Sequence, residues 1–442
     1  MSRSMRIKGP SHLKGELSIP GDKSISHRVA MIAAIADGTS RVGGFSTSAD
    51  CLATLDCITR LGIKVERSSQ ELLIHGRGLF GFRPGQTRIM LQAGNSGSTI
   101  RMLSGVLAGQ RFESEIDGDQ SLRKRPMARI IEPLAQMGAR IEAANGGRPP
   151  LRIRGQELKG IGYASPVASA QVKSSVLLAG LLAEGRTTLS EPAQSRNHTE
   201  LMLKEFGVPI QRESATAWSV EGGVKLNPTD YQVPGDVSSA AFFLAAAVAM
   251  GDSQVVLRGV GLNPTRTAFL DVLTRLGASV LRSNISEPHG EPVGDLRATT
   301  SELRAPQGKV TLSGDVIANV IDEIPILAVL ATRVEGTIEV RDAGELRVKE
   351  SDRIRAIVDG IRSMGGEIEE FDDGFAIGGP QRLRGGAVQS SGDHRIAMAF
   401  AVAGLLAEGT TEILDSDCAS VSFPEFYKAL ASLAGPGAVE LV

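Results

Sequence analysis

Along the chain, helix-length stretches of small apolar residues are separated by shorter segments in which apolar and polar positions alternate in steps of two. Six alanine-rich apolar stretches recur: SHRVAMIAAIADG, TIRMLSGVLAG, KSSVLLAGLLAEG, SSAAFFLAAAVAMG, IPILAVLATRVEG and RIAMAFAVAGLLAEG. Each runs into a glycine (Gly38, Gly109, Gly185, Gly251, Gly336 and Gly409), which predicts a helix closed by glycine at C′, repeating roughly every 74 residues. Their weak amphipathicity predicts burial on nearly all sides. A second glycine-closed helix followed by an alternating strand recurs in ITRLGIKVE (58–66), LAQMGARIE (134–142), LKEFGVPIQ (203–211), LTRLGASVL (273–281) and IRSMGGEIE (361–369). Short β-branched pieces such as TTLSE (187–191) and TIEVRD (337–342) fill the gaps. Each unit therefore reads as β-α-β-α plus one or two further strands, an α/β architecture repeated six times.

The 442 residues exceed what one hydrophobic core supports, so two domains are expected. Ile19-Pro20-Gly21-Asp22 and Val233-Pro234-Gly235-Asp236 are near-copies, each with Pro-Gly before a predicted helix. They divide the repeats three and three: residues 21–234 form one domain, and residues 1–20 plus 235–442 the other. A two-stranded hinge is expected at 19–22 and 233–236, suited to a protein that closes on its ligands.

Composition narrows the function. Lysine plus arginine number 48 against 50 acidic residues, so the field that draws a general nucleic-acid binder to phosphate backbone is missing. The longest apolar run, from Ala240 to Met250, is short of the ~20 residues of a membrane span. The first residues have no apolar stretch of the kind a secretory signal carries, and a cytoplasmic protein is expected. Three cysteines without a Cys-x-x-Cys pair indicate neither a disulfide framework nor a zinc site, and the six histidines are dispersed. Glycine is abundant, at 51 residues, and aromatics make up 4% of the chain, which points to a core of small aliphatics with close backbone approaches.

The polar residues concentrate just before the repeat helices: Gly21-Asp22-Lys23-Ser24-Ile25-Ser26-His27-Arg28, Gly94-Asn95-Ser96-Gly97-Ser98-Thr99 and Ser169-Ala170-Gln171-Val172-Lys173-Ser174-Ser175. Serines there are ordinary N-caps, but glycines and hydroxyls at a helix start also leave backbone N–H groups to meet an anion. Lys23, Arg28, Arg101 and Lys173 add cations to these loops, and Arg123-Lys124-Arg125 three more. Residues 347–353 and Asp393-His394-Arg395 give a second cationic cluster, mixed with carboxylates. Asp322 and Glu323 open the run IPILAVLA, where a carboxylate is either a helix cap or a base. A near-neutral protein with its cations gathered this way reads as a receptor for a small, heavily anionic ligand. The match of residues 76–81 to G-x-G-x-x-G is not a dinucleotide fingerprint, since Arg83-Pro84-Gly85 stands where a helix should start, and no phosphate-binding P-loop occurs.

The segments GDKSISHR, GNSGSTIRML, SLRKRPM, ASAQVKSSVLLAGL, SRNHTE, IDEIP, RVKESDRI and DHRIAM, spread in order from residue 21 to about 424, resemble the 5-enolpyruvylshikimate-3-phosphate synthase (3-phosphoshikimate 1-carboxyvinyltransferase) family. The resemblance implies the enolpyruvyl transferase fold, an inside-out α/β barrel of two similar domains, each of three βαβαββ units. It implies transfer of the enolpyruvyl group of phosphoenolpyruvate to the 5-hydroxyl of shikimate 3-phosphate, a step towards chorismate and the aromatic amino acids. No metal or organic cofactor, nucleic acid or membrane partner is implied, and a monomer is expected. The two substrates carry roughly five to six negative charges, in keeping with the cations above.

Matched motif by motif, the resemblance implies that Lys23, Ser24, Arg28, Ser169, Ala170, Gln171, Arg196, Asp322 and Lys349 contact shikimate 3-phosphate. It assigns Lys23, Asn95, Gly97, Arg125, Gln171, Lys349, Arg353 and Arg395 to phosphoenolpyruvate. Asp322 is implied as the base for the 5-hydroxyl, Glu350 as the acid at the methylene carbon, and Lys23 as a third catalytic group. Val421 stands where many members have a lysine, which, with ASAQVKS and SRNHTE, resembles the family's second class. Gly97 implies sensitivity to glyphosate, which alanine there would crowd, although Ser98 and Met102 differ from other members. The sister enzyme acting on UDP-N-acetylglucosamine uses a loop cysteine that residues 117–126 lack. A non-catalytic anion-binding scaffold would be expected to have lost some of Lys23, Arg125, Asp322, Glu350 and Arg395, all of which are present.

Overall fold

The computed structural model describes residues 3–68, 71–85 and 87–442. Two compact units emerge: a first of Gly21–Val233 with Glu287–Glu291, and a second of Met1–Pro20, Pro234–Ser286 and Pro292–Val442. The chain thus crosses between units four times. Two of these crossings fall at the paired Pro-Gly segments. The excursion of Glu287–Glu291, expected in the domain 235–442, groups instead with the first unit, where Glu291 meets His198 at 2.6 Å and His289 stacks on Tyr231 with centroids 4.5 Å apart. Pro234, expected to close the first domain, opens the second unit.

Helices α1 (Lys23–Ile35), α2 (Ala49–Arg60), α3 (Gly97–Ala108), α4 (Ala128–Gln136), α5 (Ala170–Leu181) and α6 (His198–Glu205) belong to the first unit. The second unit holds α7 (Val237–Ala249), α8 (Ala268–Arg275), α9 (Asp315–Val320), α10 (Ile324–Ala331), α11 (Arg353–Ser363), α12 (His394–Leu406) and α13 (Phe426–Ala434). Each unit has its own core. Residues Ile25 to Ile35 of α1 and His394 to Leu405 of α12 are buried without a break, which explains the weak amphipathicity of these runs.

Among the described residues, six four-stranded sheets share one topology. In the second repeat, Arg88–Gln92 runs parallel to Glu113–Asp117, which pairs antiparallel with Arg148–Arg154, which pairs antiparallel with Arg140–Ala144. Three repeats are completed by strands from elsewhere in the chain. Tyr231–Gln232 supplies the parallel edge beside Asp37–Gly43, and Met5–Gly9 inserts between Gly409–Leu414 and Val439–Leu441. Lys14–Ser18 likewise runs parallel to Gln254–Gly261, so both N-terminal strands are built into the second unit.

Glycine does two jobs. After the second helix of each repeat, Gly62, Gly138, Gly207, Gly277, Gly365 and Gly435 take φ of 77–100°, the left-handed closure expected at C′. The glycines after the first helices were expected to do the same and do not. Helix α1 stops at Ile35, α10 at Ala331 and α12 at Leu406, while Gly38, Gly336 and Gly409 lie at the starts of the following strands with φ of 95–137°. Gly109 is a C-cap at φ −94°. The apolar run continues from helix into strand, and the glycine serves the reversal into the strand. Within helices, glycine permits contact: a Cβ on Gly105 of α3 would lie 2.1 Å from the Ser175 carbonyl oxygen of α5. In the second unit Phe242, Phe243, Phe423 and Phe426 pack together with centroids 5.7–6.1 Å apart. Among the described residues no helix is long and apolar enough to cross a membrane.

Candidate active site

In the first unit the three helix starts are capped in the ordinary way. The Asp22, Ser96 and Ser169 side chains accept from the N–H groups of Ile25, Thr99 and Val172 at 2.9, 3.0 and 3.5 Å. Capping does not use up the polar residues, which join into one network. Arg28, buried in α1, donates from Nε to Thr199 Oγ1 at 2.7 Å, from Nη1 to the Ser24 carbonyl at 2.8 Å, and from Nη2 to Ser174 Oγ at 3.0 Å and the Ala170 carbonyl at 3.4 Å. Arg196 Nη1 donates to Ser24 Oγ at 3.3 Å. The starts of α1, α5 and α6 are thereby tied together through two guanidinium groups.

A second set forms around α3. Arg101 Nη1 donates to Gln171 Oε1 at 2.8 Å, and Gln171 Nε2 to Ser98 Oγ at 2.9 Å. Arg125 Nη2 donates to Asn95 Oδ1 at 2.8 Å and Ser121 Oγ at 3.3 Å, while Asn95 Nδ2 donates to Asp119 at 2.8 Å. Gly97 sits in the crook: a Cβ there would come within 2.6 Å of Arg101 Nη1 and 3.3 Å of Arg125 Nη1. Lys23 pairs with Asp50 at 3.0 Å. Lys173, expected among the loop cations, is not one of them. Its side chain turns inward and is 1% exposed, with Nζ 2.8 Å from both Glu191 and Glu200. Burial works against the ammonium charge, yet Glu200 and Glu191 hold its pKa above the usual lysine value.

The second unit brings Asp322, Glu350, Arg353 and Arg395 into another cluster. Arg353 opens α11 and is 1% exposed. Its Nε donates to Asp393 Oδ2 at 2.8 Å, its Nη2 to Glu350 Oε2 at 2.6 Å, and its Nη1 to Asp322 Oδ1 at 3.5 Å. Burial disfavours this charge, but Asp393, then Glu350 and Asp322, outweigh burial and raise the guanidinium above its ordinary range. Asp393 also caps α12 by accepting from Arg395 N–H at 2.8 Å. Lys349 donates to Glu345 at 2.8 Å and stands at the margin of the cluster.

At the start of α10, the position of Glu323 is that of an N-cap, but its side chain makes no cap bond. It accepts from Ser238 Oγ and lies 3.9 Å from Arg395. Burial pushes its carboxyl above the usual range, with Arg266 and Arg395 pulling it back. The three cysteine thiols are each pushed up to about 12, chiefly by burial, so none is a ready nucleophile. Sequence reasoning gave no role to Asp50 and Glu191, which hold Lys23 and Lys173, and met Thr199 and Asp393, which hold Arg28 and Arg353, only inside the segments SRNHTE and DHRIAM.

The chain can now be set beside known proteins. The family model described as EPSP synthase (3-phosphoshikimate 1-carboxyvinyltransferase) matches residues 7–430. A 3-phosphoshikimate 1-carboxyvinyltransferase of Bacillus subtilis (strain 168) is 50% identical over 423 residues, 95% of this chain and 97% of the relative. One of Solibacter usitatus is 49% identical over 429 residues, 97% of this chain and 99% of the relative. A solved EPSP synthase from Acinetobacter baumannii superposes with a TM-score of 0.87 at 42% identity, covering 100% of both chains. Fold, motifs and near-complete relatives agree, and this chain belongs to the EPSP synthase family.

Proposed function

We propose that the chain performs its family's reaction, moving the 1-carboxyvinyl group of phosphoenolpyruvate to the 5-hydroxyl of shikimate 3-phosphate, with shikimate 3-phosphate held chiefly by the first unit's cluster and the proton transfers made by Asp322 and Glu350. Arg353 carries this reading: one buried guanidinium lies 2.6 Å from Glu350 and 3.5 Å from Asp322, holding both carboxylates on a common cation. An addition–elimination needs one acid and one base beside the reacting carbons, and this geometry brings two carboxyl groups to one place. Glu350 gives a proton to the methylene carbon of phosphoenolpyruvate, which leaves C2 electron-poor. The 5-hydroxyl oxygen bonds to C2 as Asp322 takes its proton. Phosphate then leaves C2 with that proton, and Glu350 recovers a proton from the methyl carbon to restore the double bond.

Ser24, Arg28, Ser169, Ala170, Gln171 and Arg196, with Asp322 and Lys349, are assigned to shikimate 3-phosphate. Asn95, Gly97, Arg125, Gln171, Lys349, Arg353 and Arg395 are assigned to phosphoenolpyruvate, and Lys23 to both, where its ammonium offsets charge on the tetrahedral intermediate. Arginine forks fix carboxylate and phosphate bidentately, which sets the angle of attack. Phosphate release from phosphoenolpyruvate tests the assignment directly. Release is expected with shikimate 3-phosphate and not with UDP-N-acetylglucosamine. Asp322→Asn and Glu350→Gln are expected to lower kcat by about 10²–10⁴ while both substrates still bind. Full turnover in either variant would remove that residue from the proton path.

A further inference from the structure

We propose that Lys173, with Glu191 and Glu200, is a positioning device for shikimate 3-phosphate: a buried ion cluster that sets the geometry of the phosphate-binding segments without touching the substrate. The inference rests on the assignment of Ser169, Ala170 and Arg196 to that substrate.

The geometry is specific. Lys173 lies one turn into α5, and its Nζ reaches Glu191 Oε2 and Glu200 Oε1, each at 2.8 Å, and the Ser195 carbonyl at 3.4 Å. Glu191 turns its other oxygen to the site, accepting from the Ser169 N–H at 2.8 Å and from Ser195 Oγ at 2.7 Å. One ammonium therefore joins three separate stretches of chain. The first begins with Ser169 and Ala170, the second ends in Ser195-Arg196, and the third carries Thr199 beside Glu200. Thr199 Oγ1 accepts from Arg28 Nε at 2.7 Å and pairs with Ser174 Oγ at 2.6 Å. Of the first unit's assigned contacts, Ser169 is thus bonded to Glu191 itself, Ala170 and Arg196 are the chain neighbours of Ser169 and Ser195, and Arg28 bonds Thr199 and Ser174, the chain neighbours of Glu200 and Lys173.

Charge shows why the cluster acts by geometry. One ammonium faces two carboxyl groups, so the cluster has no cation to spare for a phosphate dianion. It is not built to attract the substrate. Its contribution is rigidity, since a buried charge meeting two fixed carboxylates tolerates little displacement.

These two roles predict opposite signs for one substitution. Glu191→Gln keeps the side chain's shape and an oxygen for Ser169 and Ser195, but removes a negative charge near the phosphate. If only the field mattered, shikimate 3-phosphate would bind more tightly. Under the positioning proposal, the dissociation constant measured by calorimetry and KM for shikimate 3-phosphate both rise about tenfold, while KM for phosphoenolpyruvate and kcat stay within about threefold. Lys173→Met moves the same quantities further in the same direction. Tighter or unchanged shikimate 3-phosphate binding in folded Glu191→Gln, with only a lower Tm, would overturn the proposal and leave the cluster a packing element. Failure of the unsubstituted protein to bind shikimate 3-phosphate would instead overturn the substrate assignment on which it rests.

Discussion

Single residues set the spacing of the guanidinium groups around the start of α3, and Gly97 shows how narrow the tolerance is. It opens α3 between the Arg101 and Arg125 guanidinium groups, and a methyl there would meet Arg101 Nη1 at 2.6 Å and Arg125 Nη1 at 3.3 Å. Both atoms end flexible side chains, so the fold accommodates alanine by moving them. Gly97→Ala is therefore expected to leave Tm unchanged or slightly higher, because alanine costs the helix less backbone entropy. KM for phosphoenolpyruvate should rise about tenfold through misplaced guanidinium groups, with KM for shikimate 3-phosphate unmoved. Glyphosate inhibition should weaken by more than that, and dose–response curves on both proteins check it. The type of residue at such a position is legible in sequence, but its direction is not. Lys23 and Lys173 both sit beside serines at helix starts. One meets Asp50 of α2 and the other is buried against Glu191 and Glu200, partners that lie outside its own loop.

Between elements, the helix starts are held by a buried polar chain rather than by local capping alone. His27 of α1 bonds through Nδ1 to Thr54 Oγ1 of α2 at 2.7 Å, Thr54 to Thr99 Oγ1 of α3 at 2.7 Å, and Thr99 to the capping Ser96 Oγ at 2.7 Å. Burial holds the imidazole pKa well below 6.5, and Lys23 and Arg28 add to the effect, so His27 is neutral in the folded protein. The unfolded chain, with its ordinary pKa, binds more protons as pH falls below about 6.5. The stability tied to neutral His27 is therefore present above that pH and lost progressively on acidification towards the folded value. Urea unfolding at pH 7.5 and 5.5 should show a drop that His27→Asn reduces; an equal drop in the variant would show that His27 does not supply it. At this scale the sequence and the structure agree on where helices lie and part at their ends. A glycine after an apolar run looks the same whether it closes a helix, as Gly62 does, or opens a strand, as Gly38 does. The sequence reading passed over α13, which packs its apolar face against Phe242 and Phe243 and closes at Gly435.

For the whole molecule, the repeat count and the two Pro-Gly copies were readable because each repeat has to bury one apolar helix and one sheet face. The return of Glu287–Glu291 to the first unit was not, because residues distant in sequence select it, among them His198, Glu205, Tyr231 and the Gln232 N–H. The two separate cores give this organisation a thermodynamic consequence. The sole tryptophan, Trp218, is buried in the first core, so its fluorescence reports that unit alone, whereas circular dichroism reports both. Most residues assigned to shikimate 3-phosphate lie in the first unit. At one hundred times its dissociation constant the substrate adds about 2.7 kcal/mol to whatever cooperative unit binds it. For a unit of roughly 200 residues, at 2–4 °C per kcal/mol, that is about 5–10 °C. The Trp218 transition should move by that amount, and a second component of the circular dichroism melt should move less. If both signals shift together and equally, the two cores melt as one cooperative unit, and the four chain crossings couple them more strongly than separate cores imply.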